Sequence, residues 1–152
     1  LAETEALSKL ISTQTEKQIA GESGSAVYPV GEYGVYPALW RIWTESGFGF
    51  TIDLGDIPFR QHTVEICDFL GMNPFAIDGG GSLLIVTGEP IELMGSFVNA
   101  GIPSRIVGRI TANKDKKLFR GETVGYLNRP ETYSESIWER KSEGERRDIK
   151  PY

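Results

Sequence analysis

Residues 32–86 constrain the fold more than any other part of the sequence, because several structural signals follow one another there at short intervals. Pro37 stands where the first turn of a helix tolerates proline, and Gly47 is a natural C-terminal stop. The apolar residues between them share one helical face. From Phe48 to Leu54, apolar residues occupy every second position, which predicts a strand with one buried face. We therefore predict a helix followed directly by a strand.

A fixed break separates this strand from a second helix. Ile57 and Pro58 interrupt the ladder, because proline cannot donate a hydrogen bond and disfavours helical geometry in the residue before it. The apolar positions of residues 63–70 predict a helix packed on most of its surface. The glycine triplet 79–81 then leads into the apolar run 82–86. That run predicts a central strand covered on both faces.

The flanking segments extend the same pattern of helices and strands. Apolar spacing predicts further elements at 4–20 (helix), 26–28 (strand, limited in length by Pro29), 90–100 (helix), 102–110 (strand) and 118–127 (hairpin). In the strand at 102–110 we expect Arg105 and Arg109 on the face opposite the isoleucines. Half of the residues beyond position 128 are charged. We expect that tail to be a short surface helix followed by a disordered end.

Composition excludes several classes of partner. A chain of 152 residues with 39% hydrophobic residues is sufficient for one globular domain. A formal net charge of −5 argues against a nucleic-acid partner, since phosphate binding needs clustered Lys and Arg. No apolar stretch approaches the roughly 20 residues that a membrane helix needs, so we expect no membrane partner.

Reactive residue types are scarce. The chain has one cysteine, Cys67, which excludes an internal disulfide and a thiolate cluster within the chain. Its one histidine, His62, excludes a multi-histidine metal site. We therefore expect no catalytic and no metal-binding residue in this sequence, and a reducing cytoplasm as its compartment. Because the sequence opens at Leu1 and runs straight into a helical pattern, we also expect it to be a piece of something longer.

The order of elements in residues 32–86 resembles the C-terminal domain of the aminoimidazole ribonucleotide (AIR) synthetase superfamily, which includes the hydrogenase maturation factor. The segments that carry this resemblance are EYGVYPALWRIW, GFGFTIDLGDIPFRQHTVEICDFLGMNPF and AIDGGGSLLIV. The resemblance covers most of residues 30–127 and is nearest to the hydrogenase maturation factor-like branch. It implies an α+β fold, a layered mixed β-sheet covered by helices with a partial likeness to the ferredoxin-like fold.

The same resemblance implies a division of the chain and a set of partners. Residues 1–24 would be an N-terminal helix and linker, 25–128 the AIR synthetase-related C-terminal domain and 129–152 a charged tail. The nucleotide-binding half of such enzymes would be a separate N-terminal domain that holds ATP and Mg²⁺, with no cofactor in this chain. The implied partners are that domain, a homodimer mate and a small phosphorylated or amide substrate.

The segment that would line the interdomain cleft departs from the family pattern. Family members carry V-T-D/E-G-G, whereas this chain reads Val30-Gly31-Glu32-Tyr33-Gly34, so that Tyr33 stands at the first glycine position. A tyrosine there would narrow the cleft, and we expect it near the glycine loop with its ring partly exposed. The maturation factor also ends in a reactive cysteine, and this sequence ends in Tyr152.

The predicted substrate-binding residues come from two segments that the resemblance places along the cleft: Glu32, Tyr33, Gly34, Asp78, Gly79, Gly80, Gly81 and Ser82. The glycine loop could cradle a phosphate with backbone N–H groups. It could equally be a structural turn that Asp78 caps, because it lacks the ending of a P-loop and leads into a strand. For Glu32 and Tyr33 the alternative is an ordinary surface loop.

Other conspicuous residues have mainly structural interpretations. We expect His62 to be a solvated or capping residue and Cys67 a small buried hydrophobe. Trp40 and Trp43 favour packing in the core or at a domain interface over a stacking platform. Arg105 and Arg109 could hold an anion, although a solvated sheet surface is the simpler interpretation.

Two functions remain open from the sequence. The first is the substrate-cleft domain of a hydrogenase maturation factor-like protein whose N-terminal domain binds ATP and activates an amide-type oxygen. The second is a non-catalytic ligand-binding or assembly module that retains the fold. Tyr33 in the cleft segment is the main support for the second.

Overall fold

The computed structural model describes residues 14–130. In that part of the chain it shows an α+β fold with four helices, one antiparallel β-sheet and one mixed β-sheet. The helices are α1 (Gln14–Glu22), α2 (Val35–Ser46), α3 (Gln61–Leu70) and α4 (Pro90–Asn99). The strands are β1 (Ala26–Val30), β2 (Gly49–Asp53), β3 (Ser82–Val86), β4 (Gly108–Thr111), β5 (Lys116–Arg120) and β6 (Thr123–Tyr126). All but the first two residues of the tail predicted at 129–152, and the first part of the predicted N-terminal helix, lie outside the described residues. The α+β fold class predicted from the sequence is confirmed.

The larger sheet has four strands in the order β4-β2-β5-β6. Strands β2 and β5 are parallel, and the outer pairs β2–β4 and β5–β6 are antiparallel. The smaller sheet is an antiparallel pair, β1–β3, in which Val30 is opposite Ser82. The predicted hairpin at 118–127 corresponds to β5 and β6, with its turn at Gly121.

The core joins helix α2 to the two central strands of the larger sheet. Leu39 of α2, Phe50 of β2 and Leu118 of β5 are the largest fully buried side chains of the described residues. The alternation predicted for β2 is confirmed, since Phe50, Ile52 and Leu54 are all buried. It does not extend back to Phe48, which is 52% exposed because it precedes the strand.

Helix α2 begins and ends as its sequence predicts. It starts at Val35, so that Pro37 lies in the first turn, where a missing N–H costs nothing. Gly47 ends it in a left-handed conformation, with φ of 72°, and donates to the Trp43 carbonyl. The break after β2 is also as predicted: Leu54–Asp56 forms a 3₁₀ turn, capped by the Asp53 carboxylate, before Pro58.

The prediction of a helix packed on most of its surface was wrong for α3. Only Cys67 of this helix is buried, whereas Ile66 is 56% and Phe69 88% exposed. The physical reason is that α3 packs mainly against a single small element, the 3₁₀ turn Pro74–Ala76. One turn cannot cover an apolar stripe that extends around most of a helix.

The prediction that 82–86 is a central strand was also wrong in position, although its bounds are those predicted. Strand β3 pairs with β1 in the two-stranded sheet, and its apolar side chains are half-buried. Strand β4 is shorter than the predicted 102–110, because residues before Gly108 form no ladder. Pro29 does not shorten β1, which continues to Val30, since an edge position tolerates the missing N–H.

Candidate functional site

The two segments predicted to line a cleft lie side by side at one end of the β1–β3 ladder. Residues 31–34 form a tight turn after β1, in which the Gly34 N–H donates to the Gly31 carbonyl at 3.0 Å. The glycine loop enters β3 beside it, and the Gly79 N–H donates to the same Gly31 carbonyl at 3.1 Å. The ladder register places Val30 opposite Ser82. One carbonyl oxygen therefore joins the two segments.

Gly34 is the residue that lets the turn approach its neighbours so closely. It adopts φ of 80° and ψ of −158°, a region that is essentially restricted to glycine. A Cβ atom at this position would collide with the carbonyl oxygens of Phe75 and Ile77. The close contact fixes the turn against residues 75–77, directly before the glycine loop.

The glycine loop uses most of its own backbone donors. The Asp78 carboxylate accepts from the Gly80 N–H at 2.8 Å, and the Ser82 N–H donates to the Gly79 carbonyl at 2.9 Å. Gly81 has φ of 85°, which favours glycine at that corner. Asp78 thus caps the turn, as the simpler interpretation of the sequence has it. Three of the loop's amides donate inside the protein, so a ligand at this edge would meet the loop's outer surface.

The side chains at this edge are accessible. Glu32 is exposed, and Tyr33 is 43% exposed, at the tip of the turn whose carbonyl receives the Gly79 N–H. Asp78 and Ser82 are exposed on the neighbouring loop. Helix α2 starts immediately after the turn, so its positive N-terminal end lies at the same edge. We call this surface, formed by residues 31–34 and 78–82, the paired-loop edge.

The remaining singled-out residues lie elsewhere. His62 is exposed in the first turn of α3. Cys67 is 3% exposed, and burial, followed by the charge of Asp68, raises the pKa of its thiol. A thiol with a raised pKa stays protonated and is a poor nucleophile near neutral pH. The structural interpretation of Cys67 is therefore confirmed.

The two tryptophans of α2 pack against the core instead of forming an open platform. Their ring centroids are 5.1 Å apart, and the Trp43 indole donates to the Lys114 carbonyl at 3.1 Å. The Lys116 ammonium lies 3.9 Å from the centroid of the Trp43 ring. This cation–π contact ties β5 to α2, so both rings have a structural role.

Arg105 and Arg109 do not share a strand face as predicted, because β4 starts only at Gly108. They line two different surface depressions. Arg109 lies in one of about 490 Å³ together with Asp53 and Asp56. Arg105 lies in another of about 430 Å³, together with Arg120.

The second depression was missed by sequence reasoning. Arg120 lies at the end of β5, which runs parallel to β2 toward the Leu54–Asp56 turn, and Arg105 contacts Asp56 of the same turn. No local sequence motif predicts that these two arginines line the same depression. The signal that the sequence does offer is a set of apolar residues around the Ile57-Pro58 break that neither flanking element can bury.

Two kinds of feature are absent from the described residues. Within residues 14–130, no three His, Cys, Asp or Glu side chains are grouped so as to hold a metal ion. No helix of the described part is long and apolar enough to cross a membrane.

Comparisons with known proteins identify the fold. No protein-family model matches the sequence. A curated relative, carbamoyl dehydratase HypE from Rhizobium leguminosarum bv. viciae, is 27% identical over 84 residues, which are 53% of this chain and 24% of the relative. The chain thus matches about a quarter of that relative's length.

Several HypE proteins are among the solved structures that are similar to this chain. Escherichia coli HypE superposes with a TM-score of 0.67 at 16% identity, covering 76% of this chain and 39% of that one. HypE in a HypE–HypF complex superposes with a TM-score of 0.58 at 21% identity, covering 69% of this chain and 36% of that HypE chain. HypE in complex with ATP superposes with a TM-score of 0.59 at 16% identity, covering 70% of this chain and 36% of that HypE chain. Residues 14–130 thus have an AIR synthetase-related, hydrogenase maturation factor-like fold.

Proposed function

We propose that this chain is the substrate-cleft domain of an AIR synthetase-related, hydrogenase maturation factor-like protein. A separate N-terminal domain would bind ATP and Mg²⁺ and activate an amide-type oxygen as a phosphate ester. The chain spans between about a quarter and two-fifths of the HypE proteins it matches, which leaves room for such a domain. The absence of a grouped metal-binding set among residues 14–130 supports assigning nucleotide and metal to that other domain.

The observation that carries the proposal is the paired-loop edge. Two segments assigned to the cleft by resemblance, and separated by more than forty positions, share the Gly31 carbonyl as a hydrogen-bond acceptor. Gly34 holds the turn against residues 75–77 in a conformation that other residues rarely adopt. Glycine adopts this conformation without steric strain and permits the close approach of the two backbones, a use of glycine that is found in tight turns and in loops that bind ligands. The N-terminal end of α2 adds a positive potential suited to a phosphorylated substrate.

Each side chain at this edge has a proposed role. Ser82 and the outer backbone of the glycine loop would contact the polar part of the substrate, and Glu32 would bind a donor group such as an amide N–H. Tyr33 would lie across the mouth of the cleft and restrict the size of the substrate. The domain would have no catalytic residue of its own. Its reaction partners would be the nucleotide domain and a homodimer mate, in a reducing cytoplasm that suits the single free thiol.

The division of roles is tested by titrating the isolated chain with Mg-ATP in a calorimeter. We expect a Kd of about 1 mM or weaker, because the described residues lack a P-loop and a metal-binding group. Micromolar affinity would overturn the assignment of ATP to another domain.

The paired-loop edge is tested by NMR titration with inorganic phosphate. Tyr33→Gly should bind phosphate more tightly than wild type, with shifts at Gly80, Gly81 and Ser82, because the mouth of the cleft is wider. Tyr33→Phe, the matched control, keeps the ring and should bind as wild type does. Shifts confined to other surfaces, or identical affinities for Tyr33→Gly and wild type, would contradict the role of this edge.

A non-catalytic assembly module is the second candidate, and the outer face of α3 favours it. Ile66, Phe69 and Leu70 are exposed together on one side of this helix, which suits contact with another protein. The gene sequence upstream of Leu1 separates the two candidates. A nucleotide-binding domain encoded there supports the enzyme, and a start codon close to Leu1 supports the module.

A further inference from the structure

The depression that contains Arg105 and Arg120 lies between four elements of the described chain. Its walls are the Leu54–Asp56 turn, the segment around the Ile57-Pro58 break, the start of α3 and the Pro74–Ala76 turn. Its volume of about 430 Å³ is within the range of small-molecule sites. None of the residues of the paired-loop edge lines it.

The floor of this depression is apolar and well packed. Leu54 is 2% and Phe75 7% exposed, so both present only a small face to the space above them. The Phe59 ring meets the Phe75 ring edge to face, with centroids 5.1 Å apart. Edge-to-face contact is one of the geometries that aromatic pairs prefer, and it orients both rings.

The charged side chains that line this depression are both basic, although the Asp56 carboxylate lies close to one of them. Among the described residues that line it, the charged ones are Arg105 and Arg120. The other depression, in contrast, combines Arg109 with the carboxylates of Asp53 and Asp56. Two guanidinium groups over an apolar floor stand out in a chain whose net charge is −5.

Asp56 contacts the Arg105 guanidinium but does not use all of its N–H donors. Its Nε lies 3.9 Å from Asp56 Oδ1, a long contact between two half-exposed side chains. A guanidinium has five N–H donors, so one such contact leaves its fork available to another acceptor. Planar bidentate binding of a carboxylate is the chemistry for which arginine is best suited.

We propose that this depression binds a small organic anion with a flat apolar body, of the aryl carboxylate class. The carboxylate would pair with Arg105 and Arg120, and the ring would lie on the floor formed by Leu54, Phe59 and Phe75. This site is separate from the paired-loop edge and does not depend on the function proposed for that edge.

The test is an NMR titration of the 152-residue chain with benzoate, with its neutral isostere benzamide as the matched ligand. We expect saturable binding of benzoate with a Kd of about 0.1–5 mM, the range open to a ligand of this size. The shifts should lie at Phe59, Val64 and Phe75, and benzamide should bind about 10-fold more weakly.

Variants identify the groups responsible. Arg105→Gln and Arg120→Gln should each weaken benzoate binding about 5-fold or more, because each removes a charge-assisted pair. Arg109→Gln, a matched change in the other depression, should leave the affinity unchanged. All three arginines are exposed, and a spectrum that overlays with wild type away from the site confirms that each variant is folded.

The proposal is overturned by no saturation at about 20 mM benzoate, by equal affinities for benzoate and benzamide, or by full affinity in either Arg105→Gln or Arg120→Gln. Shifts centred on Gly80 and Gly81 would also overturn it, because they would place the anion at the paired-loop edge.

Discussion

Helices α2 and α3 are built from similar proportions of apolar residues, yet the structure buries one and leaves the other largely uncovered. Five residues of α2 are buried: Val35, Tyr36, Ala38, Leu39 and Ile42. In α3 only Cys67 is buried, and Phe69 is the most exposed large apolar residue of the described chain, at 88%. An apolar stripe thus shows which face of a helix could be buried. It does not show whether anything lies against that face.

What differs between the two helices is the size of the element that each one meets. Side chains of α2 join those of β2 and β5 in one core cluster, together with β1 and the Pro74–Ala76 turn. Helix α3 packs mainly on that turn alone. Stability should therefore be concentrated around α2, while the surface around α3 remains available for binding.

Truncating one apolar residue in each helix should give the largest difference in the free energy of unfolding between two variants. Leu39→Ala removes a fully buried side chain and should lower the free energy of unfolding by about 2–5 kcal/mol. Phe69→Ala, on the exposed face, should change it by no more than about 0.5 kcal/mol. Urea unfolding followed by circular dichroism measures both. Similar losses for the two variants would mean that α3 is covered in solution.

A charge placed in the smaller sheet should have the next largest effect. Leu84 of β3 is half-buried and packs against the core cluster, so Leu84→Asp should cost about 2–3 kcal/mol through lost apolar burial and desolvation of the carboxylate. Val124→Asp is the control, because Val124 is 49% exposed on the outer strand β6. If both variants melt at the wild-type temperature, the β1–β3 ladder contributes nothing to the core.

A glycine-to-alanine pair tests the geometry of the paired-loop edge. Gly34→Ala should cost about 1–3 kcal/mol, because φ of 80° is strained for alanine and its Cβ would meet backbone oxygens. Gly95→Ala, within α4 and with open space around it, should stabilise the protein by about 0.5–1 kcal/mol. Thermal melts show whether each substitution raises or lowers the melting temperature. A neutral Gly34→Ala would show that the turn relaxes away from Phe75.

The smallest expected effect is a pH dependence from Cys67, the one buried residue of α3. Its folded-state pKa is raised, first by burial and then by the charge of Asp68, so the unfolded chain loses the thiol proton at lower pH than the folded chain does. The contribution to stability is therefore complete below the ordinary pKa of 9.0 and is lost as pH rises through the folded-state value.

This effect is measured as the difference in unfolding free energy between wild type and Cys67→Ala from pH 8 to pH 11. The difference should shrink as pH rises, and Asp68→Asn should shift the change to lower pH. A difference that stays constant over the whole range would show that the thiol titrates alike in both states.

Local signals in the sequence were sufficient for most element types. The bounds predicted for β3, the Gly47 stop of α2 and the turn near Gly121 are all found in the structure. Each depends on neighbouring residues alone: a short apolar run, a left-handed glycine or a tight turn. The family resemblance supplied the α+β class, which local signals could not have fixed.

The environment of each element could not be predicted in this way. A run such as 82–86 reads alike in a central strand and in a two-stranded ladder, because periodicity contains no information about the partner strand. The same limit applies to the surface depressions. Arg120 ends β5, which runs beside β2 toward the Leu54–Asp56 turn, and Arg105 contacts that turn through Asp56. No spacing in the sequence encodes this arrangement.

The parallel pairing of β2 with β5 has a consequence for how the protein is made. Phe50 lies opposite Lys116, so the centre of the larger sheet joins residues that leave the ribosome more than sixty positions apart. Contacts at such separation require closure of a long loop before they contribute, and they slow folding. A nascent chain that ends before Lys116 contains helix α2, β1 and β2 but not β5, which completes the core cluster around that helix. Until β5 emerges, that face lacks Leu118, one of its core partners, and such exposed apolar surface favours aggregation.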